Sequence, residues 1–279
     1  MWEQRKVIEA IRQSYAIGRD DSVATTMRER FTRSVKVLED LPADALHFIY
    51  ELIQNADDNS YEQGITPSLR LEIDDQKIVV QNNEKGFTEE DVRAICDPGN
   101  SPKKNKGRHQ CIGEKGIGFR SVFRVTENPQ IFSNGFQFGI DSETRVVPYW
   151  IDKVPWFVSP GMTNIVLPLK EHAKESLSDF WSCVPCEVLL FLRKLRQIEF
   201  LDRRNSKNLF RKICRSQNEG IVVIEELKEQ DNEKERLVKR FKLVRKEIDV
   251  PEVRDRKKQE GCRKDRNRAG LPPHRGRRT

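Results

Sequence analysis

The order of short strand-like and helical segments constrains the fold of this 279-residue chain more than any other feature. Leu69–Ile73 and Lys77–Val80 are aliphatic runs separated by three polar residues, a pattern that predicts a β-hairpin. A second hairpin is indicated by Asn134-Gly135, because this dipeptide favours the tight turn between antiparallel strands. Since helical segments are interspersed with these hairpins, the pattern predicts an α+β fold rather than a wound parallel sheet.

Helical signals are well marked at two places. Apolar side chains recur at helical spacing from Ala43 to Asn59, which predicts an amphipathic helix. Thr88 and Asp91 form a capping box that predicts a helix over Glu89–Cys96. The remaining expected elements are helices at 1–19, 23–39 and about 175–195, strands at 144–149, 164–169 and 221–225, and a helix or strand at 233–247.

The formal net charge of +7 is carried by one end of the chain. Residues 251–279 contain 11 Lys and Arg against 4 Asp and Glu, so residues 1–250 are neutral overall. This tail is polar and rich in Arg, which predicts disorder and favours a solvated extension over a nucleic-acid contact. Nucleic acid is therefore expected as a partner only through the tail.

The pattern of cysteines and the length of the apolar runs indicate an intracellular compartment. The six cysteines are scattered without the framework of a small disulfide-rich domain, which favours a reducing environment. Cys183 and Cys186 form a CxxC without further ligands at zinc spacing, so buried thiols are favoured over a metal site. With no run of 18 uncharged apolar residues and an amphipathic first segment, the protein is expected to be intracellular, cytoplasmic or nuclear, without a membrane partner.

Three polar residues share one face of the helix expected at 43–59. Glu51, Asn55 and Asp58 stand at i, i+4 and i+7, a spacing that surface helices also show without any function. His47, four residues before Glu51, is interpreted as a structural residue. Together with a glycine-bearing turn, the three residues could hold a divalent cation, polarise a water and face phosphates.

A glycine-bearing turn precedes the next helical run. Gly113, Gly116 and Gly118 leave their backbone amides unshielded at a helix start, where anions are favoured. Phe119-Arg120 does not fit the Walker P-loop, and the glycine spacing does not fit the dinucleotide fingerprint. Residues 97–111, rich in Pro, Gly, Asn and basic side chains, are predicted to be a mobile loop. A phosphate ligand is therefore predicted, outside both common nucleotide folds.

Four segments resemble the motif blocks of the GHKL ATPase superfamily in order and spacing. They are ELIQNADDN (51–59), NNEKGFT (82–88), IGEKGIGFRS (112–121) and GMTNIVLPL (161–169). The connecting residues are similar, more specifically, to the histidine kinase/HSP90-like ATPase domain of NO VEIN and sacsin-like proteins. The resemblance implies a Bergerat fold: a mixed, mostly antiparallel sheet covered on one face by helices, with a mobile ATP lid.

The resemblance also implies ATP and Mg²⁺ as cofactors and a role for each motif residue. Glu51 would be the general base that orients the attacking water, and Asn55 would hold Mg²⁺. Asp58 would lie beside the nucleotide, while Gly86 and Thr163 would lie on the adenine side. The phosphate turn would comprise Gly113, Gly116, Ile117, Gly118 and Phe119. The lid would comprise Ser101–His109. Within it, Lys103, Lys104 and Lys106 are either transient phosphate contacts or solvated side chains.

Two residues depart from the family's adenine-side turn. Asn82 stands where the family has Asp, and Glu84 replaces the first glycine of the turn. The Asn82 oxygen can accept a hydrogen bond from the adenine amino group, but it lacks the charge-assisted part, about 1 kcal/mol. Glu84 is an alternative acceptor. The sequence therefore leaves adenine selectivity open.

The chain divides into four predicted segments: N-terminal helices at 1–42, an ATPase domain at 43–200, a charged α/β extension at 201–250 and the basic tail at 251–279. In related ATPases a second domain supplies a cation to the γ-phosphate, and the extension is too short to be one, so hydrolysis is expected to be slow or absent. The leading hypothesis is an ATP-dependent switch, chaperone-like in role, with a protein client or a homodimer as partner. The alternative is a non-catalytic nucleotide-binding or protein-interaction module, as a fragment of a larger multidomain protein.

Overall fold

The computed structural model describes residues 2–17, 46–96, 118–178, 180–206, 208–230 and 233–242. The helices are α1 (Trp2–Ile17), α2 (His47–Asp58), α3 (Glu89–Cys96), α4 (Ala173–Ser176) and α5 (Val188–Phe191), with 3₁₀ helices at Gly118–Arg124 and Arg204–Ser206. The strands are β1 (Ser68–Ile73), β2 (Lys77–Asn82), β3 (Gln130–Ser133), β4 (Phe136–Ile140), β5 (Pro148–Trp150), β6 (Thr163–Pro168), β7 (Gln197–Asp202), β8 (Leu209–Asn218), β9 (Ile221–Gln230) and β10 (Glu233–Lys242).

The described strands form one ten-stranded sheet in the order β10-β9-β8-β7-β1-β2-β6-β3-β4-β5. Within this sheet β1 and β7 run parallel, and the other neighbouring strands are antiparallel. A mixed, mostly antiparallel sheet combined with helices confirms the predicted α+β class. The predicted hairpin of β1 and β2 is also confirmed, with Leu71 opposite Val80.

The core lies between one face of the sheet and the helices. In β1 every second residue is buried, whereas Arg70 and Glu72 on the other face are half-buried and ion-paired at 2.9 Å. This alternation is typical of a strand with one packed face. Helix α2 buries its apolar stripe in the same core, and each fully buried aliphatic side chain contributes roughly 1.5–3 kcal/mol. The buried apolar residues of α2 are Phe48, Ile49, Leu52, Ile53 and Ala56.

The start of α3 confirms the predicted capping box. The Thr88 amide donates to Asp91 Oδ2 at 2.9 Å, and the Asp91 amide donates to Thr88 Oγ1 at 3.3 Å. Two free amides at the start of the helix are thereby satisfied. The second predicted hairpin is confirmed as well: Asn134 and Gly135 join β3 to β4 with φ of 48° and 82°, as the tight hairpin turn requires.

Two predicted elements are wrong. The helix expected at about 175–195 is replaced by the short helices α4 and α5 with turns between them. Pro185 lies in that interval, and a proline removes a helical hydrogen bond and disfavours the helical conformation of the residue before it. The strand expected at 144–149 begins only at Pro148, because Asp141 and the Thr144 hydroxyl accept backbone amides and form a turn.

The expected strand at 221–225 is longer than predicted, and 233–242 forms a strand. Strands β8, β9 and β10 continue the sheet from β7, so the predicted boundary between residues 200 and 201 falls within β7. Lys239 on β10 donates to Glu187 at 2.5 Å, and this hydrogen bond lowers the pKa of Glu187 to about 2.

Several sequence expectations lie outside the described residues: the helix at 23–39, the lid at 101–109, and the basic tail at 251–279. Residues 243–250, the end of the charged extension, lie outside them as well. In the described part of the chain, the structure contains no helix both long and apolar enough to span a membrane.

Candidate functional site

Helix α2 brings the three predicted polar residues to one side of the core. Glu51 and Asn55 are partly exposed, and Glu51 Oε1 lies 3.3 Å from His47 Nε2. The side chain of Asp58 is 1% exposed, and its Oδ1 accepts a hydrogen bond from Arg193 at 3.0 Å. The negative charge of Asp58 is therefore already compensated within the protein, while the Glu51 carboxylate faces a histidine that is half exposed.

Gly118 lies directly against Glu51. A Cβ built on Gly118 would be 2.1 Å from Glu51 Oε2, far closer than any van der Waals contact allows. Gly118 begins the 3₁₀ helix, and its carbonyl accepts a hydrogen bond from the Ser121 hydroxyl at 2.6 Å. The carboxylate-bearing helix and the last glycine of the predicted phosphate turn therefore meet. Of the other residues predicted there, Phe119 packs against the core, and Gly113, Gly116, Ile117 and Lys104 lie outside the described residues.

A row of polar side chains ends three neighbouring strands on the face that packs on the helices. Asn82 and Thr163 are directly opposite each other at the ends of β2 and β6, and Ser133 ends the adjacent strand β3. Glu84, on the turn after β2, joins them. We call Asn82, Glu84, Ser133 and Thr163 the polar row; all four residues are at least nine-tenths buried.

Gly86 closes the turn beside the polar row. Its φ is +89°, a conformation that favours glycine, and an added Cβ would lie 2.8 Å from the Cβ of Asn134. The adjacent Phe87 donates its amide to Ser133 Oγ at 2.8 Å and accepts from Asn134 Nδ2 at 3.1 Å. The turn is thus held against the β3–β4 hairpin, and glycine is required for this approach.

The amide group of Asn82 is used within the protein. Its Oδ1 accepts the Glu84 amide at 3.0 Å, and its Nδ2 donates to Tyr61 at 2.9 Å and towards the Ser68 carbonyl at 3.4 Å. Since an amide N–H only donates and a carbonyl only accepts, these partners fix the orientation of the carboxamide. Tyr61 in turn donates to the Ala56 carbonyl at 2.7 Å, which ties the polar row to α2.

Burial dominates the electrostatics of the polar row. It raises the pKa of Glu84 to about 7, with a further increase from the negative charge of Asp91 and a decrease from the hydrogen bond that Thr163 donates. Burial also raises the pKa of Tyr61 above its usual value, so the phenol stays neutral at physiological pH. The row therefore contains one carboxyl that titrates near neutrality.

Asp57 is a structural residue that the sequence reasoning missed. It is fully buried, and its carboxylate accepts the backbone amides of Arg193, Lys194 and Leu195 at 2.7–2.9 Å. These bonds fasten the end of α2 to the segment that leads into β7. The available signal was its position four residues after Ile53, which continues the apolar stripe of α2 and predicts burial.

The oxygen groups on α2 differ in how available they are to a divalent cation. Oxygen groups of Glu51 and Asn55 are the type that Mg²⁺ prefers, whereas Asp58 is engaged by Arg193. Among the described residues, no three His, Cys, Asp or Glu side chains converge on one point. Cys183 and Cys186 are free thiols that donate to Phe180 and Glu187, respectively. These side chains would give a Mg²⁺ ion one protein ligand, and most of its coordination shell would have to come from phosphate and water.

A cleft of about 610 Å³ opens beside Tyr61. Lys85, Arg193, Lys194 and Arg196 contribute to its lining and make it basic. Lys194 donates to the carbonyls of Asp58 and Asn59, and Lys85 is paired with Glu62 at 3.5 Å. Its described lining contains none of the predicted site residues, but Arg193 pairs with Asp58, and Tyr61 accepts a hydrogen bond from Asn82.

Comparison with known proteins gives one family match and two similar proteins. Residues 28–155, less than half of the chain, match the model of the family described as Sacsin domain. Two curated proteins are similar. A stretch of 168 residues is 40% identical to Protein NO VEIN of Arabidopsis thaliana, and covers 59% of this chain and 6% of that protein. A stretch of 135 residues is 30% identical to Sacsin of Homo sapiens, and covers 43% of this chain and 3% of that protein. The chain is thus related to sacsin-like and NO VEIN-like proteins and spans a small part of the length of either.

Proposed function

We propose that this chain is a nucleotide-binding module of the GHKL type, with a Bergerat fold, that binds ATP with Mg²⁺ between α2 and the glycine turn ending at Gly118. The observation that carries the proposal is the contact of Glu51 with Gly118, since it joins two motif blocks that are distant in sequence. The similarity of the four motif blocks to GHKL ATPases supplies the identity of the ligand.

Glu51 is proposed as the general base. Its Oε1 lies near His47 Nε2, and its Oε2 is next to Gly118, so the second oxygen is the one directed at the glycine turn. A carboxylate in this position can orient a water molecule and accept its proton, an effect typically worth 10²–10⁴-fold in rate. His47, interpreted from sequence as structural, restrains the carboxylate in this scheme.

Asn55 is proposed as the protein ligand of Mg²⁺. It follows Glu51 by one helical turn, so both side chains project towards the same volume. Bound Mg²⁺ would neutralise part of the phosphate charge. Asp58, paired with Arg193, would border this volume without adding an uncompensated charge. Hydrolysis is expected to be slow, and a mobile lid would close over the nucleotide as a chaperone-like switch, for a protein client or within a homodimer.

A non-catalytic module is the second candidate. The carboxamide of Asn82 accepts a hydrogen bond from the Glu84 amide and donates one to Tyr61. These bonds weaken the assignment of Asn82 as the adenine-binding residue. Such a module would bind nucleotide or a protein partner without turnover. The two candidates differ in one measurable quantity, the steady-state release of phosphate.

Calorimetric titration with ATP and Mg²⁺ tests the ligand. The wild-type protein is expected to bind, and Asn55→Ala to bind roughly tenfold more weakly, equivalent to about 1.4 kcal/mol. Glu90→Gln is a suitable control, because Glu90 is exposed on α3. Absence of heat with wild-type protein, or equal affinity of wild type and Asn55→Ala, would contradict the assignment of ligand or metal residue, respectively.

Phosphate release separates the two candidate functions. Glu51→Gln is expected to keep the ATP affinity of the wild type and to lower turnover roughly 10²-fold or more, because the amide cannot accept the proton of water. Glu90→Gln should leave turnover unchanged. If wild-type protein binds ATP but releases no phosphate above background, the non-catalytic candidate is correct.

A further inference from the structure

The polar row contains a directed chain of hydrogen bonds that ends at Glu84. The Phe87 amide donates to Ser133 Oγ at 2.8 Å, Ser133 and Thr163 hydroxyls lie 2.5 Å apart, and Thr163 Oγ1 donates to Glu84 Oε1 at 2.6 Å. Because the single proton of Thr163 is directed at Glu84, Ser133 must donate to Thr163. Every hydroxyl donor in the row therefore points towards the carboxyl group.

One oxygen of Glu84 has no hydrogen-bond partner among the described residues. Oε1 accepts from Thr163, whereas the structure gives Oε2 no hydrogen bond within the described part of the chain. Glu84 is 8% exposed, and no described Lys, Arg or His forms an ion pair with it. Ionisation of a buried carboxyl that has no cation beside it costs free energy. A bound ligand would provide the missing partner for the second oxygen of Glu84.

The titratable neighbours of Glu84 reinforce its neutral form. Asp91 on α3 adds a negative charge that raises the pKa of Glu84, and Tyr61, which faces it from the segment after α2, is itself neutral. Thr163 on β6 opposes this increase through its donated hydrogen bond, and Ser133 on β3 carries no charge. Both protonation states of Glu84 are therefore accessible near pH 7.

We infer that Glu84 recognises the base of the bound nucleotide by hydrogen bonds, and that its neutral carboxyl is the form complementary to adenine. This inference rests on the proposed function and assigns to Glu84 the role that the family resemblance gives to position 82. Asn82 is held by the turn and by Tyr61, whereas Glu84 keeps an oxygen without a partner at the end of the same strand.

The neutral and ionised forms of Glu84 differ by one hydrogen-bond donor. A neutral carboxyl donates from Oε2 to N1 of adenine, while Oε1, which has a second lone pair, accepts from the 6-amino group. The ionised carboxylate has no donor and faces the lone pair of adenine N1. Guanine presents two N–H donors, at N1 and at the 2-amino group, which suit an ionised carboxylate. Adenine selectivity is thus set by one proton on the protein.

The test compares ATP and GTP binding to the intact chain between about pH 6 and about pH 8.5, a range that spans the Glu84 titration. ATP affinity of the wild type is expected to fall roughly tenfold with rising pH while GTP affinity falls less or increases. Glu84→Gln keeps one donor and one acceptor, so it should bind ATP with no such loss. Because the γ-phosphate titrates equally with both proteins, the difference between them isolates Glu84.

Two further variants sharpen the result. Thr163→Val removes the hydrogen bond that favours ionised Glu84, so the midpoint of the pH dependence should move to higher pH. Glu62→Gln, at an exposed carboxylate, should retain the wild-type pH dependence. Identical pH profiles for wild type and Glu84→Gln would overturn the inference and leave ATP binding intact. Absence of binding by every form at every pH would overturn both this inference and the proposed function.

Discussion

Two buried glutamates, in different parts of the same sheet, are stabilised in opposite ways. Glu226 on β9 is 5% exposed and accepts a hydrogen bond from Arg211 Nε at 2.6 Å, while Arg211 also donates to the Trp181 carbonyl at 3.1 Å. Glu84 is 8% exposed and receives only a neutral hydroxyl donor from Thr163. Similar burial therefore surrounds a charge that Arg211 compensates in one region, and a carboxyl whose pKa is raised to about 7 in the other.

The Arg211–Glu226 pair has a structural role. The Arg211–Glu226 pair is diagonal across β8 and β9, since Arg211 is opposite Lys228 and Glu226 is opposite Ile213, so it helps to specify the register of these strands. Glu84 fixes no strand register, and because its pKa is raised, the folded state loses stability as pH rises towards 7. Groups of this second kind are concentrated at binding and catalytic sites.

The largest expected effect is the loss of the compensated pair. Glu226→Ala leaves the Arg211 guanidinium buried without its partner and should lower the free energy of unfolding by about 3–5 kcal/mol. The double variant Arg211→Met/Glu226→Leu replaces both charges by apolar groups and should be much closer to the wild type. Chemical denaturation at pH 7 measures both. A loss below about 1 kcal/mol in Glu226→Ala would show that the pair is solvated, unlike its burial here.

The next effect concerns the pH dependence of stability. Because the pKa of Glu84 is raised from 4.5 to about 7, its contribution to stability is complete below pH 4.5 and is lost as pH rises to about 7. The loss is on the order of 3 kcal/mol. Glu84→Gln cannot ionise, so it should be the more stable protein at pH 8 and should lack this dependence. Denaturation profiles that remain parallel for the two proteins from pH 4 to pH 8 would contradict the raised pKa.

The smallest expected effect is at the turn beside the polar row. Gly86→Ala combines strain at φ of +89° with a contact of 2.8 Å to Asn134 Cβ, and should cost about 2 kcal/mol. Gly64→Ala is matched in φ, at +84°, but has open space around the added Cβ, so it should cost about 1 kcal/mol. Thermal unfolding of the two variants compares them. Equal losses would mean that the turn is not packed tightly against the β3–β4 hairpin.

Local signals in the sequence predicted local structure well. The Thr88–Asp91 capping box and the Asn134-Gly135 turn are each completed by groups a few residues apart, and both are confirmed. The wrong helix at about 175–195 was also a local inference, but there the apolar residues serve a buried irregular segment interrupted by Pro185. Apolar composition predicts burial more reliably than it predicts the element that is buried.

Long-range arrangement could be predicted only in part. The parallel pairing of β1 with β7 joins segments far apart in sequence, and no residue pattern in either strand specifies that neighbour. The motif blocks predicted that Glu51 and the glycine turn converge, and Gly118 lies against Glu51. The roles of Glu51, Asn55, Asp58, Gly86 and Thr163 stay predictions. Sequence named Glu84 as an alternative acceptor but could not give its burial, because burial depends on how β2, β3 and β6 assemble.

The position of β7 inside the sheet limits where the polypeptide can be truncated. A polypeptide that stopped at residue 200 would lose the last third of β7 and all of β8–β10, and would leave the edge of β7 that pairs with β8 exposed to solvent. Such an unpaired central edge recruits strands from other molecules and promotes aggregation. Expression of this module on its own should therefore extend at least through Lys242, even though all four motif blocks end well before that residue.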